Sequence, residues 1–144
     1  MKLKRGFTLL EMLVSISIIG LILTIAVVSY VSVNKRSRDA KRKGDIEQIR
    51  SALEFYRADL GFYPAAGTSD TYADVGDLYE FIRTYLPTVP NDPKYPDYHY
   101  WYKATDYAIP NYYGYCVSAT LETETPSSTP CVPYSSYNYS VKNP

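Results

Sequence analysis

Gly6-Phe7-Thr8-Leu9-Leu10-Glu11-Met12-Leu13-Val14-Ser15-Ile16-Ser17-Ile18-Ile19-Gly20 opens a run that stays mostly apolar to Val33. About 20 apolar residues are what a helix needs to cross a bilayer, and Phe7–Val33 supplies them. One ionisable residue, Glu11, interrupts the run four positions after Phe7. A carboxylate inside a membrane helix costs on the order of 2.5–3.5 kcal/mol on insertion scales, so intramembrane charges are rare and tend to be functional. The pattern predicts a membrane-stored helix whose acid serves assembly rather than catalysis.

Glu11 needs a cation at the same depth. Cutting the chain after Gly6 creates one, the α-amine of Phe7, a helical turn away. Within one chain the two groups interact weakly. Between staggered chains, the amine of one meets the carboxylate of the next, neutralising both where unpaired charge is expensive. Such a pairing also sets the axial register between neighbours. The alternative is a protonated Glu11 near the interface with no partner.

Lys4-Arg5-Gly6-Phe7-Thr8-Leu9-Leu10-Glu11 followed by an apolar span resembles the class III signal of type IV pilins and pseudopilins. The resemblance implies cleavage between Gly6 and Phe7 by a prepilin peptidase, N-methylation of Phe7, and polymerisation through the exposed helix with Glu11 as the assembly carboxylate. It also implies the other partners: the lipid bilayer before assembly, an inner-membrane assembly platform, minor pilins and further copies of the chain. Many members carry a proline within the span. This chain has none between Phe7 and Tyr63, so a local melt falls to Gly20 or Ser29, or does not occur.

The stem sharpens the likeness. Lys43-Gly44-Asp45-Ile46-Glu47-Gln48-Ile49, then Ala52-Leu53, Tyr56, Asp59 and Tyr63-Pro64, is similar to the helical stem of the major pseudopilin of type II secretion. Leu86-Pro87-Thr88-Val89-Pro90-Asn91-Asp92-Pro93, with Tyr98 and Tyr100, resembles the loop before that family's first strand. The final third departs from it. The family's calcium-binding, Asp-rich C-terminal loop has no counterpart in Thr123–Pro130, which offers Glu124 and Ser/Thr/Pro. A C-terminal disulfide is closer to major type IV pilins.

With 144 residues, one small domain beyond the span is all that fits. The expected division is a cleaved basic leader (1–6), the hydrophobic transmembrane and assembly helix (7–33), an amphipathic stem (34–60) and a globular head (61–144). The leader lacks the small-residue cleavage site that follows the apolar core of a secretory signal. Lys2, Lys4 and Arg5 precede the cut, and positive-inside logic puts them in the cytoplasm and the C-terminus outside. The expected location is therefore the prokaryotic inner membrane, single-pass, then an extracellular pilus or a pseudopilus of the cell envelope. A second basic cluster pulls the other way: Lys35, Arg36, Arg38, Lys41, Arg42 and Lys43.

Cys116 and Cys131 are the two cysteines, with fourteen residues between them. In an exported domain such a pair forms a bridge, and closing a loop of that size contributes roughly 3 kcal/mol in the chain-entropy picture. The alternatives are a reduced pair or a metal site. His99 is the lone histidine and there is no Cys-x-x-Cys, which argues against metal.

Ile46, Ile49, Leu53, Tyr56 and Leu60 form an apolar stripe at spacings of three and four, so the helix should continue to about Asp59. Glu47, Arg50, Glu54 and Arg57 are spaced for helical ion pairs, and Gly44 permits a bend. Gly61–Tyr72 reads as a loop. Val75–Leu86 fits a short helix with Asp74 as N-cap and Leu78, Phe81, Ile82, Tyr85 and Leu86 on one face. Pro87, Pro90, Pro93 and Pro96 impose an extended connection, in which Asp92 and Asp97 read as local turn aspartates. Tyr98–Tyr102 alternates like a strand, Asp106–Gly114 reads as a turn, and Tyr115–Glu122 as a second strand with Cys116 at its start. Thr123–Pro130 is a loop, and Cys131–Val141 supplies a third, edge strand. The fold class is α+β: a long N-terminal helix on a small antiparallel sheet of three or four strands.

Seventeen tyrosines suit either an adhesive surface or ordinary strand packing. Packing is the simpler reading for Tyr98–Tyr115, whereas Tyr134, Tyr137 and Tyr139 suit exposure or subunit contacts. The formal net charge is zero and the basic run lies near the membrane, which argues against nucleic acid as a partner. Asn138-Tyr139-Ser140 fits a glycosylation sequon, and Ser127-Ser128-Thr129-Pro130 suits O-linked sugar. No catalytic set surrounds His99 and no phosphate loop occurs, so neither an enzyme nor a cofactor is expected. Two readings follow: a structural filament subunit of a pilus or secretion pseudopilus, or a minor tip pilin or membrane-anchored adhesin using a tyrosine-rich face.

Overall fold

With no proline before Pro64, nothing in the covalent chain stops a helix once it has started. In the computed structural model, which describes residues 6–66, 72–124 and 138–143, helix α1 runs Leu9–Leu60. It passes through Gly20, Ser29 and Gly44 without interruption. Gly61 ends it with φ +85, a conformation that costs glycine little, and its N–H donates to the Arg57 carbonyl at 2.7 Å. The chain forms two units, Met1–Arg36 and Ser37–Pro144.

In the first unit, the large apolar side chains described along the helix face outward, from Phe7 at 80% exposure to Val33. Three of the hydroxyls among them are satisfied internally. Ser15 donates to the Glu11 carbonyl, Ser17 to Leu13 and Thr24 to Gly20, each one turn back. Hydroxyls bonded this way to the helix's own carbonyls are not left as unmet donors in an apolar phase.

In the second unit, the stripe on α1 becomes the floor of a core. Ile46, Ile49, Ala52, Leu53 and Tyr56 are buried against Tyr100, Tyr102 and Ala104 and against Tyr115, Val117 and Ala119. Burying each of Ile46, Ile49 and Leu53 contributes roughly 1.5–3 kcal/mol, well above any difference in helix propensity. Leu60 departs from the expected stripe at 50% exposure, because the helix ends there and Gly61 turns the chain away. Of the four charged stem residues, Glu47 and Arg50 approach at 3.4 Å. Glu54 and Arg57 instead meet on the Tyr63 hydroxyl, which accepts from Arg57 and donates to Glu54.

The sheet has four antiparallel strands in the order β1 (Ala73–Asp74), β2 (Trp101–Ala108), β3 (Asn111–Ala119) and β4 (Tyr139–Lys142). Tyr102 and Val117 are directly paired on the face toward α1, and Val117 pairs with Val141 at the edge. The expected N-cap holds: Asp74 accepts from the Gly76 N–H at 2.7 Å. The helix it starts is shorter than expected, a 3-10 turn Val75–Leu78 and then α2 (Tyr79–Ile82). Leu78 and Ile82 are buried, whereas Phe81 is 40% exposed, because one tight turn presents a narrower face than a regular helix.

The strands also shift from their expected limits. β2 starts at Trp101, after Tyr98 to Tyr100, and β3 starts at Asn111, so the turn is only Ile109–Pro110 rather than Asp106–Gly114. Gly114 lies inside β3 opposite Thr105, where an added Cβ would fall 2.1 Å from Asp106 Oδ2 and 2.4 Å from Thr105 Oγ1. Its glycine serves close approach, not chain reversal. Cys116 accordingly sits in mid-strand and not at a strand start. The expected third strand is present at the edge as β4, while residues 131–137 lie outside the described residues.

Candidate functional site

The N-terminal start of α1 is built on a reciprocal cap. Thr8 precedes the first helical residue, and its hydroxyl accepts from the Glu11 N–H at 3.2 Å. The Glu11 carboxylate returns the contact: its Oε2 accepts from the Thr8 N–H and from the Thr8 hydroxyl, both at 2.8 Å. This is a Thr-x-x-Glu capping box, which satisfies two backbone donors that a helix start leaves open. The spacing is present in the sequence as Thr8-Leu9-Leu10-Glu11, where the charge of Glu11 masks its capping role. Phe7 and Gly6 lie just outside the helix and are exposed. Glu11 therefore has hydrogen-bond partners within its own chain.

Past the span, the second basic cluster divides in two. Lys35, Arg36 and Lys41 are exposed, whereas Arg38, Arg42 and Lys43 are occupied by acids of the head. Arg42 is fully buried. Its Nε and Nη2 donate to the two Asp92 oxygens at 2.7 and 3.0 Å, and its Nη1 donates to Asp39 at 2.8 Å and Glu122 at 3.0 Å. Arg38 forks onto Glu122 through two bonds of 2.7 Å, Lys94 reaches the same carboxylate at 2.9 Å, and Lys43 meets Glu124. Tyr98 lies beneath both Arg42 and Lys94 at cation–π distance. The Arg38 guanidinium, opposed by burial and aided by Lys94 and Arg42, holds the Glu122 carboxyl far below the usual range.

Asp92 corrects the sequence reading in part. It does accept locally, from the Lys94 N–H at 2.8 Å, as a turn aspartate should. Its main partner is nonetheless Arg42, fifty residues earlier. Asp39, which has no motif around it in the sequence, accepts from the N–H groups of Glu122 and Thr123 and from the Thr123 hydroxyl. Nothing local in the sequence announces such a contact.

Among the tyrosines, Tyr63, Tyr100, Tyr102 and Tyr115 are core residues, while Tyr95, Tyr107 and Tyr113 are exposed. Tyr139 packs under Lys43, and Tyr134 and Tyr137 lie outside the described residues. Cys116 is buried in β3, and its expected partner Cys131 lies outside the described residues, as does Ser127–Pro130. The sequon reading of Asn138 is overturned. Its side chain is 5% exposed, its amide oxygen accepts from the Leu121 N–H and its amide nitrogen donates to the Leu121 carbonyl, so no acceptor nitrogen is presented.

Residues 1–27 match the family model for the prokaryotic N-terminal methylation motif, and residues 29–112 match that for type II secretion system (T2SS), protein G. The second match ends within β3, before Cys116, where the sequence departs from the family pattern. The type II secretion system core protein G of Vibrio cholerae is 29% identical over 107 residues, covering 69% of this chain and 72% of its own. That of Dickeya chrysanthemi is 32% identical over 94 residues, covering 65% and 55%. That of Escherichia coli is 29% identical over 101 residues, covering 66% and 70%. No solved structure matches the chain. A methylation motif ahead of a long apolar helix, and a stem and head that follow protein G for more than half of the sequence, mean that this chain belongs to the protein G family of type II secretion pseudopilins.

Proposed function

We propose that this chain is the structural subunit of a type II secretion pseudopilus, stored in the inner membrane by residues 7–33 and polymerised through the same helix. The observation that carries the reading is the fully exposed apolar half of α1, which begins at a capped carboxylate. At about 1.5 Å per residue that segment spans roughly 40 Å, enough for the hydrocarbon layer of a bilayer. In a filament the same surface is covered by the helices of other copies. The reading as a tip adhesin is not favoured, since much of the tyrosine load is consumed by the core.

The finer steps belong to this proposal. A prepilin peptidase cuts between Gly6 and Phe7, the Phe7 amine is methylated, and an assembly platform with minor pilins extracts the subunit. Glu11 then accepts the Phe7 amine of a neighbouring copy. The C-terminus lies outside the cytoplasm. Support for that orientation comes from the second basic cluster, half of which is neutralised by the head's own acids and so competes less with the leader. A Cys116–Cys131 bridge accords with an exported head.

The test is Glu11→Ala in cells that express the secretion machinery. Mass spectrometry of the mature N-terminus should show normal cleavage and methylation, while sheared fractions should lose filaments. Normal filaments from that variant would overturn the proposal.

A further inference from the structure

The calcium-binding, Asp-rich loop of the major pseudopilin has no counterpart in Thr123–Pro130, so the donors that remain beside this loop decide whether the head takes such an ion by another route. From Tyr107 onward the chain has two acids only, Glu122 and Glu124. Glu124 is paired with Lys43. Two further carboxylates, Asp39 and Asp92, converge with Glu122 around Arg42, and among the described residues these three are the acids gathered at the loop.

All six oxygens of those three carboxylates already accept from donors of the chain. Asp39 Oδ1 takes Arg42 and the Glu122 N–H, and its Oδ2 takes the Thr123 N–H and hydroxyl. Asp92 Oδ1 takes Arg42 and the Lys94 N–H, and its Oδ2 takes Arg42. Glu122 Oε1 takes Arg38 and Arg42, and its Oε2 takes Arg38 and Lys94. Three negative charges face three positive ones, so the cluster is neutral as it stands. A calcium ion would add two charges beside a fully buried guanidinium, or expel that guanidinium from its partners, and either is unfavourable. Among the described residues, no group of three or more His, Cys, Asp or Glu is arranged to hold a metal. The described donor set does not fit calcium.

We infer that Arg42, with Arg38 and Lys94, fastens the 122–124 loop and the Pro-rich loop to the stem in place of a divalent ion, making the head independent of metal. The arrangement is a clasp. Glu122 joins three cations from two elements, Asp92 brings in the Pro-rich loop, and Asp39 binds the backbone of the loop itself. Oxygen ligation by a divalent ion would join the same segments, and here the stem supplies the positive charge. The neighbouring Tyr98 ring shields Arg42 and Lys94 from water on one side. The clasp joins the stem to the head within the unit Ser37–Pro144 and uses none of residues 7–33, so the inference stands or falls separately from the polymerisation reading.

The experiment uses the full chain in detergent micelles, with thermal unfolding followed by near-ultraviolet circular dichroism. The melting temperature should be the same in excess EDTA, in millimolar calcium and in millimolar magnesium, and isothermal titration with calcium should give no saturable heat. Lys94→Gln, at the rim of the clasp, should lower the melting temperature by the same amount in all three solutions. A drop in EDTA, a rise in calcium, a saturable calcium isotherm or a Lys94→Gln protein as stable as the parent would each overturn the inference.

Discussion

Arg42 and Asp92 are joined by two hydrogen bonds of 2.7 and 3.0 Å in a site where neither side chain meets solvent. Both come from segments with strong independent reasons to be elsewhere, one from a helix and one from a Pro-rich connection. A two-point guanidinium–carboxylate fork fixes orientation as well as distance, which an ammonium does not. Arg42→Ala leaves Asp92, Asp39 and Glu122 short of their central cation. Removing one partner of a buried ion pair costs about 3–5 kcal/mol, and Arg42→Lys should fall between that variant and the parent. Chemical denaturation of the full chain in micelles measures the order. An Arg42→Lys protein as stable as the parent would show that charge alone suffices.

Acid should open the same clasp. Burial pushes the Asp39 carboxyl up, but the Glu122 N–H, the Thr123 hydroxyl and Arg42 outweigh it, and the group sits below its usual value. Glu122 is depressed too, chiefly by Arg38. A carboxyl whose folded value lies below its unfolded one stabilises the fold fully above the unfolded value, about 4 for Asp and Glu, and that contribution is lost as pH falls toward the folded value. Head stability should therefore be flat across neutral pH and fall below about pH 4–5. Glu122→Gln should be less stable at neutral pH and should show a shallower acid limb. Melting temperatures across an acid series decide it, and parallel curves for parent and variant would remove Glu122 as a contributor.

Gly114 and Asp106 share a different constraint. Asp106 has φ +55, and its carboxylate occupies the space a Gly114 side chain would need. Gly114→Ala forces Asp106 and Thr105 to move, and overfilling of this kind costs typically about 1–3 kcal/mol. Asp106→Gly relieves the left-handed backbone and removes the obstructing carboxylate together. The double variant should recover a large part of the single loss. A double-mutant cycle on head stability with no coupling between the sites would refute the shared constraint.

What the sequence disclosed and what it hid divide along one physical line. The helix and its apolar stripe are local, governed by spacings of three and four, so they are legible residue by residue, and the Thr8–Glu11 cap is local too, although the charge of Glu11 draws the reading toward a partner in another chain. The tight Asp74 cap is local too. The clasp is not, because Asp39, Asp92 and Glu122 lie far apart in the chain and each has a plausible local role. Asp92 looks like a turn aspartate and is one, yet its larger partner sits on another element. Gly114 misleads in the opposite way, since glycine in a Tyr-rich segment suggests a turn, whereas a strand used it for close approach to Asp106. The sequon at Asn138 failed for the same reason: a three-residue pattern carries no information about burial.

Asn138 itself holds β4 to the chain leaving β3. Its amide bonds both backbone groups of Leu121, and also the Glu124 carbonyl. Asn138→Ala leaves a buried N–H and a buried carbonyl unmet, at about 1–3 kcal/mol. Protection of the Leu121 amide in hydrogen exchange should fall by more than that of Val117 in the sheet centre. Equal loss at both positions would mean that Asn138 acts only through global stability.

Glu11 carries two roles that one substitution separates. As a cap, it accepts from the Thr8 N–H and hydroxyl, and glutamine serves that position in a capping box as well as glutamate does. As an assembly group, it must present negative charge to the Phe7 amine of another copy, and glutamine has none. Glu11→Gln should therefore keep the helix start, enter the membrane and be cleaved and methylated normally, yet fail to build filaments. Thr8→Val removes the hydroxyl but keeps the N–H and the charge, so it should weaken the cap and reduce assembly less. The measurements are the N-terminal mass of the mature protein and electron microscopy of sheared filaments. Filaments of normal length and yield from Glu11→Gln would mean that the carboxylate works through its own chain and that charge pairing between copies is not what sets their register.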